Sequence, residues 1–190
     1  MVYHPKRRLL FRLAAALFFL FATFCGRFLY GLHAENAAMQ DVILPAHPRV
    51  PAGASVLVIS PHCDDETLGA GGLIADAVRR GATVSVVFVT NGDGFPMAVR
   101  REFRRLSPGP QDYERMARQR QAEARAALAR LGVPRRRIYF LGYPDRGIAE
   151  LWNHYWTADD PFTSRYTGCS ASPYGNSFDR GAVYCGQDLT

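Results

Sequence analysis

The chain has 190 residues, 23 Lys and Arg against 17 Asp and Glu, and a formal net charge of +6. That length suits one globular domain with appendages, and a composition 48% hydrophobic and 12% aromatic excludes a disordered or collagen-like chain. The charge invites a polyanionic partner, but Lys6, Arg7, Arg8, Arg12 and Arg27 all precede the first acid, Glu35, leaving 18 basic against 17 acidic residues in 35–190. A body at +1 lacks the electrostatic footprint of a general nucleic-acid binder, so no nucleic-acid partner is expected.

Leu13 to Cys25 (LAAALFFLFATFC) is an uninterrupted apolar run behind that basic cluster. Its length fits the core of a signal peptide and falls short of the ~20 residues that span a bilayer. Counted from Leu9 to Leu32, with Arg12 and Arg27 snorkelling to the interfaces, it becomes long enough. Leu32-His33-Ala34 is a poor cleavage site, and the bulky Phe24 before Cys25 argues against a lipoprotein signal. Residues 1–34 therefore read as an uncleaved signal anchor in preference to a cleaved signal peptide. Positive charge on the amino side orients the body to the extracytoplasmic side, membrane-anchored, or secreted if the leader is removed. Residues 35–54, which include LPAHPRVPAGA, read as linker. In an exported body Cys169 and Cys185 either bridge or remain thiols.

The β-branched run Ser55–Ser60 (SVLVIS) predicts a buried strand, Asp65–Arg80 a helix closed by Gly81, and Ala82–Thr90 a second strand. Asn91–Pro110 reads as loop, Gln111–Leu131 as the clearest helix, ended by Gly132 and Pro134, and Arg137–Leu141 as a third strand. Strand, helix, strand, helix, strand implies a Rossmann-like α/β domain, a mostly parallel sheet with helices on both faces. From Tyr143 onward aromatics, Gly, Ser and Asp dominate and no element is assigned.

Pro61-His62-Cys63-Asp64-Asp65-Glu66 lies at the carboxyl end of the first strand, where open α/β sheets place their sites. Capping a helix needs one Asp, not a His and three acids. His62 and Asp65 can converge across a strand-to-helix turn, and an imidazole with a carboxylate suits a catalytic Zn²⁺ site. Asp64 is then free to act as general base on water. The alternative is an acidic helix start favoured by the dipole, with His62 a bystander. Gly69, Gly71 and Gly72 disfavour a helix by about 1 kcal/mol each, so a close approach by substrate or a neighbouring strand is expected there. In the second helix Arg120 interrupts an apolar stripe formed by Tyr113, Ala117, Ala124, Leu128 and Leu131, and Glu123 is one partner for it. Arg115, Arg118, Arg125 and Arg130 read as a solvated face. Asn91-Gly92-Asp93 and Gly142-Tyr143-Pro144-Asp145 both read as turns at strand ends.

The stretch PHCDDETLGAGGLIA resembles the signature of the LmbE/PIG-L family of zinc-dependent N-deacetylases, and the resemblance runs from Val56 to about Trp152. It implies that His62 and Asp65 bind zinc and that Asp64 is the base. It also implies that Arg120, in an Arg-x-x-Glu, and Asp145, in a Gly-x-Pro-Asp, bind an N-acetylglucosamine-like sugar or glycolipid substrate. Cys63 stands where the family usually has proline, which alters the turn or offers a thiol near the metal. The family completes its metal site with a downstream histidine. Here His154 is the only internal candidate, and its surroundings do not match, so the chain is expected to be C-terminally incomplete and to bind zinc weakly. Two rival readings remain: a non-catalytic sugar- or glycolipid-binding domain on the same fold, and an anion- or nucleotide-binding protein using the Arg-rich loop.

Overall fold

A computed structural model describes residues 5–40, 49–174 and 183–189, in two compact units, Met1–His47 and Pro48–Thr190. The first unit is one helix, α1 (Pro5–Gln40), which continues past the predicted end of the leader into the expected linker. Its large side chains, Phe18, Phe21 and Phe24 among them, stand exposed. The 24-residue stretch Arg12–Glu35 is long and apolar enough to cross a membrane, consistent with a signal sequence or an anchor. Residues 41–48 of the expected linker lie outside the described residues.

The second unit is built on a three-stranded parallel sheet in the order β1-β2-β3. Its strands are β1 (Ser55–Ser60), β2 (Thr83–Thr90) and β3 (Ile138–Tyr143). Alternation along each strand sends Val84, Val86 and Phe88 of β2, with Ile138 and Phe140 of β3, into one buried face. Register places Val86 opposite Ile138 and Phe88 opposite Phe140, and the two phenyl rings stack at 4.8 Å.

Helices α2 (Asp65–Arg79) and α4 (Pro110–Arg130) cover that face through Ile74 and Ala77, and through Ala124 and Leu128. Crossovers that step along the sheet in one direction with one hand must bring their helices to the same side. The expected parallel α/β sheet is therefore present. Its two long helices share one face, and α5 (Ile148–Asn153) begins beside Val89 on the other. Along β1, Leu57 and Ile59 point to that second face and remain 60% and 66% exposed.

Both glycines expected to stop helices do so. Gly81 and Gly132 take φ of +76° and +85°, letting Ala82 N–H and Val133 N–H reach back to the carbonyls of Ala77 and Leu128. One element escaped the sequence reading. Inside the expected loop 91–110 lies α3 (Pro96–Phe103), started by proline and buried through Val99 against Tyr113 and Met116 of α4. Its short length and its Arg100-Arg101 pair hide the periodicity that longer helices display.

Candidate active site

The turn after β1 is fixed from both ends. Thr90, closing β2, donates its N–H and its hydroxyl to the Pro61 carbonyl at 3.0 and 3.1 Å, and Ser60 Oγ donates to the His62 carbonyl at 2.7 Å. Asp64 then adopts φ 152°, ψ −30°, a region L-residues rarely occupy. Such strain persists only where its surroundings over-determine it. Asp64 N–H donates to Glu66 Oε2 at 3.0 Å, and the Asp64 carbonyl accepts the N–H groups of Thr67 and Leu68. Glu66 is buried and also accepts the Thr67 hydroxyl, so this third acid of the motif holds the turn from beneath.

His62 lies between two carboxylates. Its Nδ1 is 3.1 Å from Asp65 Oδ2, which also accepts the His62 N–H, and its Nε2 is 3.3 Å from Asp145 Oδ1. Asp145 is nearly buried, and its other oxygen accepts the Gly94 N–H at 2.9 Å. A β-carbon on Gly94 would sit 2.9 Å from that oxygen, so only glycine leaves room for the carboxylate. Arg120 reaches across from α4, with Nη2 donating to Asp64 Oδ2 and to the Cys63 carbonyl, each at 2.6 Å. These groups line one open cleft of ≈ 490 Å³ with Gly92, Phe95 and Arg146.

The structure thus brings His62, Asp64, Asp65, Arg120 and Asp145 to one place. Several details differ from expectation. Arg120 pairs with Asp64, while Glu123 accepts from Gln119 instead. The helix turns Glu123 away from the cleft, whereas Asp64 comes from another element that local spacing does not reveal. Arg125 is not on a solvated face: its guanidinium lies 4.4 Å over the Phe140 ring, and burial lowers its pKa. The Cys63 side chain packs into the core beside Ile74 and Phe88, where burial pushes the thiol up to about 12, so it offers no ligand to the cleft. A β-carbon added at Gly69 or Gly72 would meet nothing within 4 Å outside its own helix backbone, and one at Gly71 only the Thr67 methyl at 3.9 Å, so no neighbouring strand makes the expected close approach. His154 is exposed at the end of α5 and does not line the cleft. No disulfide joins Cys169 and Cys185.

Residues 57–164 match the family described as PIG-L, GlcNAc-PI de-N-acetylase. The chain belongs to this family. Two curated relatives, the 1D-myo-inositol 2-acetamido-2-deoxy-alpha-D-glucopyranoside deacetylases of Mycobacterium sp. strains KMS and JLS, are each 40% identical over 99 residues. That match covers 50% of this chain and 30% of each relative, so the chain spans under a third of their length. The crystal structure of GalB, the 4-carboxy-2-hydroxymuconate hydratase from Pseudomonas putida KT2440, is similar over 48% of this chain and 35% of its own. The sequence identity is 28% and the TM-score 0.41.

In this PIG-L family member the turn Asn91-Gly92-Asp93 does more than reverse the chain: Gly92 lines the cleft and its two polar neighbours lie behind it. Asn91 and Asp93 are both buried. Asn91 Oδ1 accepts from Gln121 at 2.9 Å, and Asp93 accepts the Tyr174 hydroxyl at 2.8 Å and the Asp145 N–H at 3.3 Å. Burial raises the Asp93 pKa, against the lowering pull of the Tyr174 hydrogen bond. Tyr174 thus supports Asp145 through Asp93. The signal available in sequence was Asn91 and Asp93, two polar residues in the three that follow the β-branched strand β2.

Proposed function

We propose that this chain carries the base and the first two metal ligands of a zinc-dependent hydrolase. The reaction removes the N-acetyl group from an N-acetylglucosamine-like sugar or glycolipid, as family membership and the names of the mycobacterial relatives suggest. One observation carries the reading: a carboxylate gripped by an arginine opens into the same cleft as a histidine–aspartate pair. The pair fits two corners of a zinc site. Its N···O separation of 3.1 Å is close to the edge of a tetrahedron with bonds of about 2.0–2.1 Å. Asp145 faces the opposite ring nitrogen, the position of a carboxylate that orients a metal-bound histidine. Among the described residues no group of three His, Cys, Asp or Glu is placed to hold a metal.

When bound, zinc supplies Lewis acidity, lowering the pKa of water and polarising the amide carbonyl. The protein's own groups do the remainder. Asp64 accepts one proton of the attacking water and passes it to the leaving nitrogen as the C–N bond breaks, so that amide and water become amine and acetic acid, which ionises to acetate. Arg120 aims the Asp64 carboxylate, and the rest of its guanidinium lines the cleft where the sugar binds. Asp145 holds the His62 ring and offers its remaining lone pairs to a sugar hydroxyl.

The test pairs zinc titration with acetate release from an N-acetylglucosaminyl substrate. His62→Ala and Asp65→Ala should each abolish zinc uptake. Asp64→Asn should keep it while acetate release falls by about 10²–10⁴-fold. A chain that takes up no zinc defeats the reading. Among the described residues no third ligand joins His62 and Asp65, which leaves one rival, a sugar-binding domain that lacks catalysis. Substrate binding without acetate release in the zinc-loaded protein would establish that rival.

A further inference from the structure

The α3 segment has a use that the cleft does not require. Met97, Arg100 and Arg101 fall at i, i+3 and i+4, one stripe of the helix opposite the buried Val99 and the half-buried Phe103, and Arg104 follows as the left-handed cap of the helix. All four are exposed, Met97 by 72%. Among the described residues none of these three arginines has an ion-pair partner, whereas Arg105 pairs with Asp112 at 3.4 Å. Two residues past Arg104, Leu106 is 95% exposed, and just before the helix Phe95, 46% exposed, lines the cleft. Three unpaired arginines with exposed large apolar side chains before and after them in the chain form an amphipathic surface. Solvation alone does not account for such apolar exposure on a helix whose other face is well packed.

We propose that the outer face of α3 and its following turn dock on an anionic lipid bilayer, holding the mouth of the cleft at the headgroup level. Charge complementarity selects phosphate-bearing headgroups, and Met97 and Leu106 supply the shallow apolar insertion that a nucleic acid has no means to accept. The same chain carries a stretch long and apolar enough to cross a membrane. A covalent tether raises the effective concentration of the body at a bilayer, so a weak docking face suffices. The inference goes beyond the deacetylase reading and stands whether or not the cleft hydrolyses an amide.

Amide hydrogen exchange over residues 96–106 tests it. The full chain would be reconstituted in nanodiscs of phosphatidylcholine alone, or of phosphatidylcholine mixed with phosphatidylglycerol. The readout needs neither zinc nor substrate, so failure of the catalytic proposal leaves it intact. Exchange should slow on the order of tenfold in the anionic discs, and high salt should reverse this. Replacing Arg100, Arg101 and Arg104 together by Glu should abolish the slowing, and replacing them by Lys should preserve it. All three are surface positions, and an unchanged near-ultraviolet circular dichroism spectrum confirms that the variants fold. Equal exchange in the two discs, or slowing that survives charge reversal, overturns the proposal. So does single-stranded RNA that protects the segment, in neutral discs, as strongly as the anionic lipid does.

Discussion

Asp93, between the cleft-lining Gly92 and Gly94, is 1% exposed and accepts from the Tyr174 hydroxyl and the Asp145 N–H. Burial raises its folded-state pKa above the ordinary value of 3.8. The folded protein therefore holds that proton more readily than the unfolded chain. The contribution of Asp93 to stability is full below about pH 4 and is lost as pH rises through the folded pKa. Asp93→Asn removes the charge and keeps an acceptor for Asp145. Its melting temperature should gain on the parent's as pH rises from about 4 to 8. A difference that stays flat across that range would sink this account. The individual chemical groups at the front of the cleft were legible in the sequence because His62, Asp64 and Asp65 are concentrated in one short block. Arg120 was legible as an anomaly, a charge in an apolar stripe, but its partner was not. A helix projects side chains to contacts that spacing along one element cannot name.

At the scale of elements, glycines that look alike in sequence separate by what surrounds them. A β-carbon on Gly94 would lie 2.9 Å from Asp145 Oδ2 and 3.1 Å from the Tyr166 ring. Gly94→Ala should cost about 1–3 kcal/mol in urea unfolding and displace Asp145 from His62. Gly72, in the open, should behave oppositely: Gly72→Ala in α2 should stabilise the protein by roughly 0.5–1 kcal/mol. If both substitutions shift stability in the same direction, the distinction is wrong. The long helices and the strands were visible because β-branched runs and glycine stops are local signals. The helix α3 was not, since it is short, starts at Pro96, and owes its stability to Val99 meeting Tyr113 and Met116 across the fold.

For the whole molecule, the sheet has two unequal faces. Phe88 is fully buried beneath α2 and α4, while Ile59 on the opposite face is 66% exposed. Phe88→Ala should therefore cost about 3–5 kcal/mol, and Ile59→Ala less than about 1 kcal/mol, by chemical denaturation. Equal costs would mean that the second face is covered in solution. The net charge of +6 also divides unevenly: five basic residues belong to the leader, and the body's +1 leaves the unpaired arginines of α3 a local feature, not part of a general basic surface.

Sequence by itself determined the parallel α/β order, the apolar leader and the cluster of His62, Asp64 and Asp65, because each is written in contiguous residues and short-range periodicity. Tertiary structure decided how the cluster is held. The grip of Arg120 on Asp64, the placement of Asp145 on His62, and the wall of Asn91, Asp93 and Tyr174 join groups between 30 and 83 residues apart in the chain. Hydrogen bonds at such separations depend on which strands lie side by side and which helix crosses them, and only the folded sheet fixes that.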